Sequence, residues 1–219
     1  MKIGIAFGQM KVWIALCLCG LSIPLAAQTD LKTFTSPDGS FQFKYSPVLV
    51  HCKLEEPREG SLGDWVPADS CSSQGGLCDD VGSSDATTLV CLGYPRNRFK
   101  DKPTFSGAAF FLAELPAVTT RRTCLKGSEN WVIESVRNVR IDSRPARLFR
   151  VDDTWTSHRE TGEIYRIFHA GKCYELGIRQ VSTSLGTYDP GAIKPFTRRD
   201  LAEVRRNLRY GLDSFRFLK

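Results

Sequence analysis

Apolar and polar residues alternate most regularly between Glu163 and Val181. Two arms, Glu163–His169 and Lys172–Val181, are rich in β-branched and aromatic residues, and Ala170-Gly171 between them can supply the positive φ of a tight turn. In the second arm Tyr174, Leu176 and Ile178 share one face while Cys173, Glu175 and Arg179 share the other. That period of two predicts a half-buried antiparallel strand. Upstream, Trp131–Ile141 and Ala146–Trp155 read as strands joined by the turn Asp142-Ser-Arg-Pro145. In the second of these, Phe149, Val151 and Trp155 fall on one face, with Leu148, Arg150 and Asp152 on the other. The polar stretch Thr156–Gly162 reads as a hairpin loop leading into the next strand, so the region predicts an antiparallel meander.

The flanking segments follow the same logic. Phe41, Phe43 and Tyr45 alternate with Gln42 and Lys44 after the turn signal Ser36-Pro-Asp-Gly39. Val48–Leu54 continues as extended chain, and Thr87–Gly93 reads as a short buried strand. Gly107–Leu115 is apolar on both faces, as a central strand covered on two sides requires. Thr119–Lys126 predicts a short helix with Thr119 or Thr120 as N-cap. Thr197-Arg-Arg-Asp200 resembles a capping box with Asp in place of Glu, and Leu201, Val204, Leu208 and Leu212 then form one helical stripe. Phe215–Leu218 reads as a last strand. Between these elements Glu55–Ser84 is rich in Gly and Pro and poor in aliphatics. A loop of about thirty residues in a compact domain is usually functional or stapled.

The N-terminus changes the compartment. Lys2 and Lys11 precede the apolar run Val12–Ile23, and Pro24 and Ala26-Ala27 follow just before Gln28-Thr29-Asp30. This is the pattern of a secretory signal over residues 1–27, with a single secreted domain over 28–219 carrying the insertion at about 55–84. The run is short for a membrane span, so no transmembrane segment is expected once the signal is removed. Of the chain's 8 cysteines, Cys17 and Cys19 fall in the signal. The remaining six, Cys52, Cys71, Cys78, Cys91, Cys124 and Cys173, point to disulfides in an exported chain. Cys71–Cys78 would clamp a short Gly-rich loop, Cys52–Cys91 would join strands, and Cys124–Cys173 would tie a helix to the hairpin. A zinc site would require a CxxC or Cys/His cluster, and none remains. The whole chain carries +6; removing Lys2 and Lys11 leaves 28 basic residues against 24 acidic. That mild excess is well short of a nucleic-acid-binding footprint.

Catalytic signatures are sparse. The chain contains no G-x-S-x-G elbow and no phosphate loop of standard spacing, so neither a catalytic residue nor a cofactor is assigned. His51, His158 and His169 are isolated from one another in sequence. Asp152, Asp153, His158 and Glu160 lie close enough to meet across a hairpin, which leaves a secreted hydrolase or metal-dependent enzyme using Asp153, His158 and Glu160 as the alternative to a binding protein. Two surfaces are candidates for a partner. One is the long insertion with Trp65, which either binds or plugs the edge of the core. The other is the face of the last helix bearing Arg198, Arg199, Arg205, Arg206 and Arg209. It either meets an acidic envelope protein, anionic polymer or lipid surface, or is a solvated face with Arg199–Glu203 and Glu203–Arg206 as local pairs.

Taken together, the hairpin Thr35-Ser-Pro-Asp-Gly-Ser-Phe-Gln-Phe43, the Ile141-Asp-Ser-Arg-Pro-Ala146 turn, the Tyr-bearing strand, the terminal helix and Asp213-Ser-Phe-Arg-Phe217 resemble the PsbP-like family. The likeness implies an α+β fold in which a central antiparallel sheet is sandwiched between helices, α/β/α. It also implies a non-catalytic extracytoplasmic binding or assembly role. The insertion and the cysteines depart from that family's pattern, and no family site residue transfers to this chain. Thiol titration of the mature protein without reductant is expected to detect none of the six cysteines; six free thiols would refute a disulfide-stapled domain.

Overall fold

Residues 30–52, 86–95, 98–127, 132–155, 157–189 and 191–219 are described in the computed structural model. Residues 1–27, expected above to be a signal, and 55–84, expected to be an insertion, with Trp65, Cys71 and Cys78, lie outside the described residues. Among the described residues, ten strands and two α-helices run in the order β1 (Lys32–Thr35), β2 (Phe41–Tyr45), β3 (Val50–His51), β4 (Thr87–Gly93), β5 (Phe105–Leu115), α1 (Arg121–Cys124), β6 (Ile133–Ile141), β7 (Arg144–Trp155), β8 (His158–His169), β9 (Lys172–Thr183), α2 (Arg198–Asp213) and β10 (Arg216–Phe217). All pairings are antiparallel. One sheet has the order β3-β4-β5-β9-β8-β7-β6, and a smaller one the order β1-β2-β10. The fold is α+β, dominated by antiparallel sheet.

The hairpin turns follow from local chemistry. Asp142 and Ser143 have φ of 48° and 61°, and Ala170 and Gly171 have 47° and 79°. Two consecutive positive φ values make the two-residue turn whose twist matches that of the strands it joins. The region 158–162, read above as loop, is strand: His158 pairs with Trp155 and Thr183, and Thr161 with Asp152 and Gln180. Backbone bonding to a neighbour on each side overrides the polar composition of this stretch.

Strand β9 is central, paired with β5 and β8, and it is buried on both faces rather than half-buried. On one face Ala108, Phe110 and Leu112 of β5, Tyr174, Leu176 and Ile178 of β9 and Tyr165 and Ile167 of β8 pack with Val204, Leu208 and Leu212 of α2. Phe41, Phe43, Phe215 and Phe217 of the small sheet and its flanks complete this core. On the other face Ala109, Phe111, Phe149, Val151, Ile164 and Val181 gather with Cys91. The single-turn α1, N-capped by Thr120, packs near β8 and β9, and a disulfide joins its Cys124 to Cys173. Cys52 and Cys91 are both disulfide-bonded, and the Cys52 amide donates to the Cys91 carbonyl at 3.0 Å.

The charged residues of β7, β8 and β9 do not form one open face. Arg150 and Asp152 lie on the α2 side of the sheet, whereas Arg166, Glu175 and Arg179 lie on the opposite side. Arg166 Nε donates to Glu175 Oε2 at 3.1 Å, with the two side chains 3% and 0% exposed. Burial outweighs the attraction of Arg166 and pushes the Glu175 carboxyl up to about 7. A carboxyl raised on folding binds its proton more tightly in the native state. Its stabilising contribution is therefore full below about pH 4.5 and lost as pH rises through about 7. Replacing Glu175 by Gln is expected to remove a loss of stability on the order of 1–3 kcal/mol across that window, read from urea unfolding at successive pH values. An unchanged pH profile would show that Glu175 does not titrate there.

Candidate functional site

The last helix is placed by its ends and by its stripe. Thr197 Oγ1 accepts from the Asp200 amide and the Asp200 carboxylate accepts from the Thr197 amide at 2.8 Å, a reciprocal cap. Val204, Leu208 and Leu212 then face the sheet, and Asn207 Nδ2 donates to the buried Tyr94 hydroxyl at 2.8 Å. At Gly211 a Cβ would stand 3.0 Å from the Phe110 ring, so glycine lets the helix sit down on β5. With this stripe fixed, the arginine face divides. Arg205 and Arg209 lean over β7–β9, whereas Arg198, Arg199 and Arg206 are exposed away from it. Glu203 reaches across to Arg98 at 3.5 Å rather than forming the local pairs expected within the helix.

Between this flank of α2 and the sheet runs a groove of about 420 Å³. Arg205, Leu208 and Arg209 form one wall, and Arg150, Asp152, Arg159, Thr161, Glu163, Ile178 and Gln180 supply the floor and the other wall. Two of its carboxylates, Asp152 and Glu163, are engaged. Asp152 holds Arg159 through two bonds, one of 2.9 Å, and these keep its carboxyl below the ordinary range. Glu163 accepts from Tyr165 Oη at 2.8 Å and from Arg209 Nη1 at 2.9 Å on one oxygen, and from Arg150 Nη2 at 3.5 Å on the other. Arg179 reaches the groove from the far side of the sheet, but its guanidinium is held there by Glu160. Arg205 makes no ion pair among the described residues. At the floor, Gln180 is 9% exposed and its Oε1 accepts no hydrogen bond among the described residues.

The other candidates fall elsewhere. Asp153 and Glu160 are cross-strand partners beside His158, but Glu160 is committed to Arg179. No group of three His, Cys, Asp or Glu side chains stands where it could hold a metal ion among the described residues. His169 is structural: Nδ1 accepts from Arg144 Nε at 3.2 Å, so Nε2 donates to the Lys219 carbonyl at 2.6 Å, and the ring lies 4.1 Å from that of Phe217. His51 packs on Phe34 and Tyr45, where burial and then Lys32 lower its proton affinity. Among the described residues, no helix is long and apolar enough to cross a membrane.

Arg205 and Arg209 are thus the members of the predicted arginine face that meet a concavity, and Arg150, Arg159, Glu163 and Gln180 join them from the sheet. A signal for Gln180 was present in the strand pattern, since it is the polar member of the series Tyr174, Leu176, Ile178 that points under the helix. What this defines is an antiparallel α+β protein with an arginine-lined groove between its last helix and its sheet. No protein-family model matches the chain, and no curated protein matches it. Among solved structures, a crystal structure from Bacteroides thetaiotaomicron VPI-5482 is similar with a TM-score of 0.43 and 12% identity, over 86% of this chain and 48% of that one. The chain spans about half the length of that protein.

Glu163 is the hub of the groove wall. Glu163→Ala is expected to destabilise the protein by about 1–2 kcal/mol, because it strands the buried Tyr165 hydroxyl and takes a carboxylate partner from Arg150 and Arg209, the latter keeping Asp213. Glu163→Gln keeps an acceptor and should cost less. Urea unfolding of the two variants measures the difference; equal losses would refute the assignment.

Proposed function

We propose that the protein is an exported, non-enzymatic binding protein of the cell envelope, with the α/β/α architecture of PsbP-like proteins, whose ligand site is the groove between α2 and β7–β9. The observation that carries this reading is the groove itself. It is about 420 Å³, within the range of small-molecule sites, and rests on a helix and strands rather than on loops. Its cationic lining favours an anionic ligand, in keeping with an acidic envelope component as partner. Asp152 and Glu163 at its border are tied in ion pairs, which suits them to hold arginines in position more than to shuttle protons. Export is supported by the N-terminal signal pattern and by the disulfide between Cys124 and Cys173.

The test is an amide chemical-shift map of isotope-labelled protein mixed with the low-molecular-mass fraction of an envelope extract. Shifts at Gly162, Thr161 and Gln180 are expected in the wild type and are expected to be absent in Arg205→Glu, whose parent side chain makes no ion pair within the described fold. Shifts confined to other surfaces, or equal in both proteins, would remove the groove as the site.

A further inference from the structure

The two sheets end in four edge strands among the described residues. Three are short: β1, β3 and β10 have 4, 2 and 2 residues, whereas β6 has 9 and pairs with β7 alone. Alternate residues of an antiparallel strand turn both backbone groups to the same side, so β6 leaves the set that faces away from β7 to water. Long open edges are normally blunted, and a bulge is one way to do it. Here the bulge lies at the start of the strand, between Ile133 and Ser135, and 135–141 pairs regularly. Val136, opposite Phe149, and Ile133, opposite Val151, carry the second core outward to this edge, where they are 40% and 38% exposed. Val132 beside them is exposed as well. That core therefore ends in water along the strand that lacks a neighbour. Two cations flank the apolar step. Arg137, opposite Leu148, lies on the α2 side, and Arg140, opposite Pro145, lies on the other. Both are exposed, and neither forms an ion pair among the described residues; Arg140 donates to the Ser143 carbonyl at 2.8 Å. The one carboxylate of β6, Glu134, attracts Arg159 at the groove, and 135–141 contains none.

These charges decide which strand can complete the sheet. A two-fold pairing with a second copy, centred on any residue from Val136 to Arg140, sets Arg137 or Arg140 opposite or diagonal to its own counterpart, where like charges repel. A strand with carboxylates at those places is attracted instead. We infer that the free edge of β6 docks an extended acidic segment of a partner protein, added antiparallel to the sheet, with carboxylates opposite Arg137 and Arg140 and a β-branched residue opposite Val136. Backbone hydrogen bonds supply the affinity, and the β-branched residue covers the open end of the second core. The two arginines choose the partner, and the same pair keeps copies of the chain apart. The site is separate from the groove, whose lining takes Glu134 from β6 and nothing from 135–141.

The probe is the blocked peptide acetyl-Thr-Glu-Val-Thr-Glu-Val-Thr-amide, which in antiparallel register sets its glutamates opposite Arg140 and Arg137 and its valines opposite Val139 and Val136. Amide shift titration of isotope-labelled protein should place its shifts at 135–141, with Gly162 and Gln180 of the groove unmoved. The same peptide with lysine for glutamate should bind about tenfold more weakly or worse, and the double variant Arg137→Glu, Arg140→Glu should reverse that preference. Two analogues, each N-methylated at one of the two alternating sets of residues, test the backbone pairing. The analogue methylated on the side away from β6 should bind as the parent does, and the other should fail. Equal binding of the acidic and lysine peptides, loss or retention of binding by both analogues alike, or shifts confined to other surfaces would overturn the inference. So would dimerisation of the wild-type protein through 135–141, seen as concentration-dependent shifts there and in sedimentation, since a second copy would then be the occupant.

Discussion

The seat of α2 on the sheet rests on the contact between Gly211 and the Phe110 ring. Glycine inside a helix costs about 1 kcal/mol relative to alanine, so its place here must be offset by packing. A methyl at that position would meet ring carbons at 3.0–3.1 Å and would force Phe110, itself wholly buried, to move. Phe110 also stands 4.9 Å from the ring of Phe43, so the same side chain carries the small sheet and the helix on one face of the large one. The reciprocal cap at Thr197 and the Asn207–Tyr94 bond fix the register of the helix along its axis. Given that seat, Arg205 and Arg209 have only one side on which to lie, and the groove exists because of it.

Strands β8 and β9 carry charge on both faces, and each face uses it differently. On the face opposite α2, Arg166 and Glu175 are buried as a pair in which desolvation dominates, an arrangement that contributes little net stability and is expensive to break. Under α2 the pairs Arg159–Asp152 and Arg209–Glu163 remain partly open to water, where each is worth far less. They are better understood as holding guanidinium groups around a concavity. The same alternation of side chains across the strands thus gives one face a closed core and the other a polar wall.

The strand pattern and the helix stripe were legible because backbone geometry repeats with fixed periods, two for a strand and 3.6 for a helix. Tyr174, Leu176 and Ile178 lie together under α2, and Val204, Leu208 and Leu212 meet them, as their spacing implied. The turn at Asp142-Ser143 was legible for a local reason as well. The stretch 158–162 was misread because its polar composition said nothing of the partners β7 and β9 that bond it on both sides. Likewise a half-buried strand would leave the Glu175 face of β9 open; only the cover on that second face makes Glu175 and its partner Arg166 interior.

What the chain determined by itself is therefore periodic and local: strands, turns, the capped helix, a cysteine-bearing composition. The groove belongs to another level. Arg150, Arg159, Glu163, Gln180 and Arg205 are brought together from three consecutive strands and the helix that follows them. No spacing rule links them, because their distances are set by strand order and by how closely α2 approaches β5. Side-chain type and local period are properties of the chain; proximity across a sheet is a property of the packed whole.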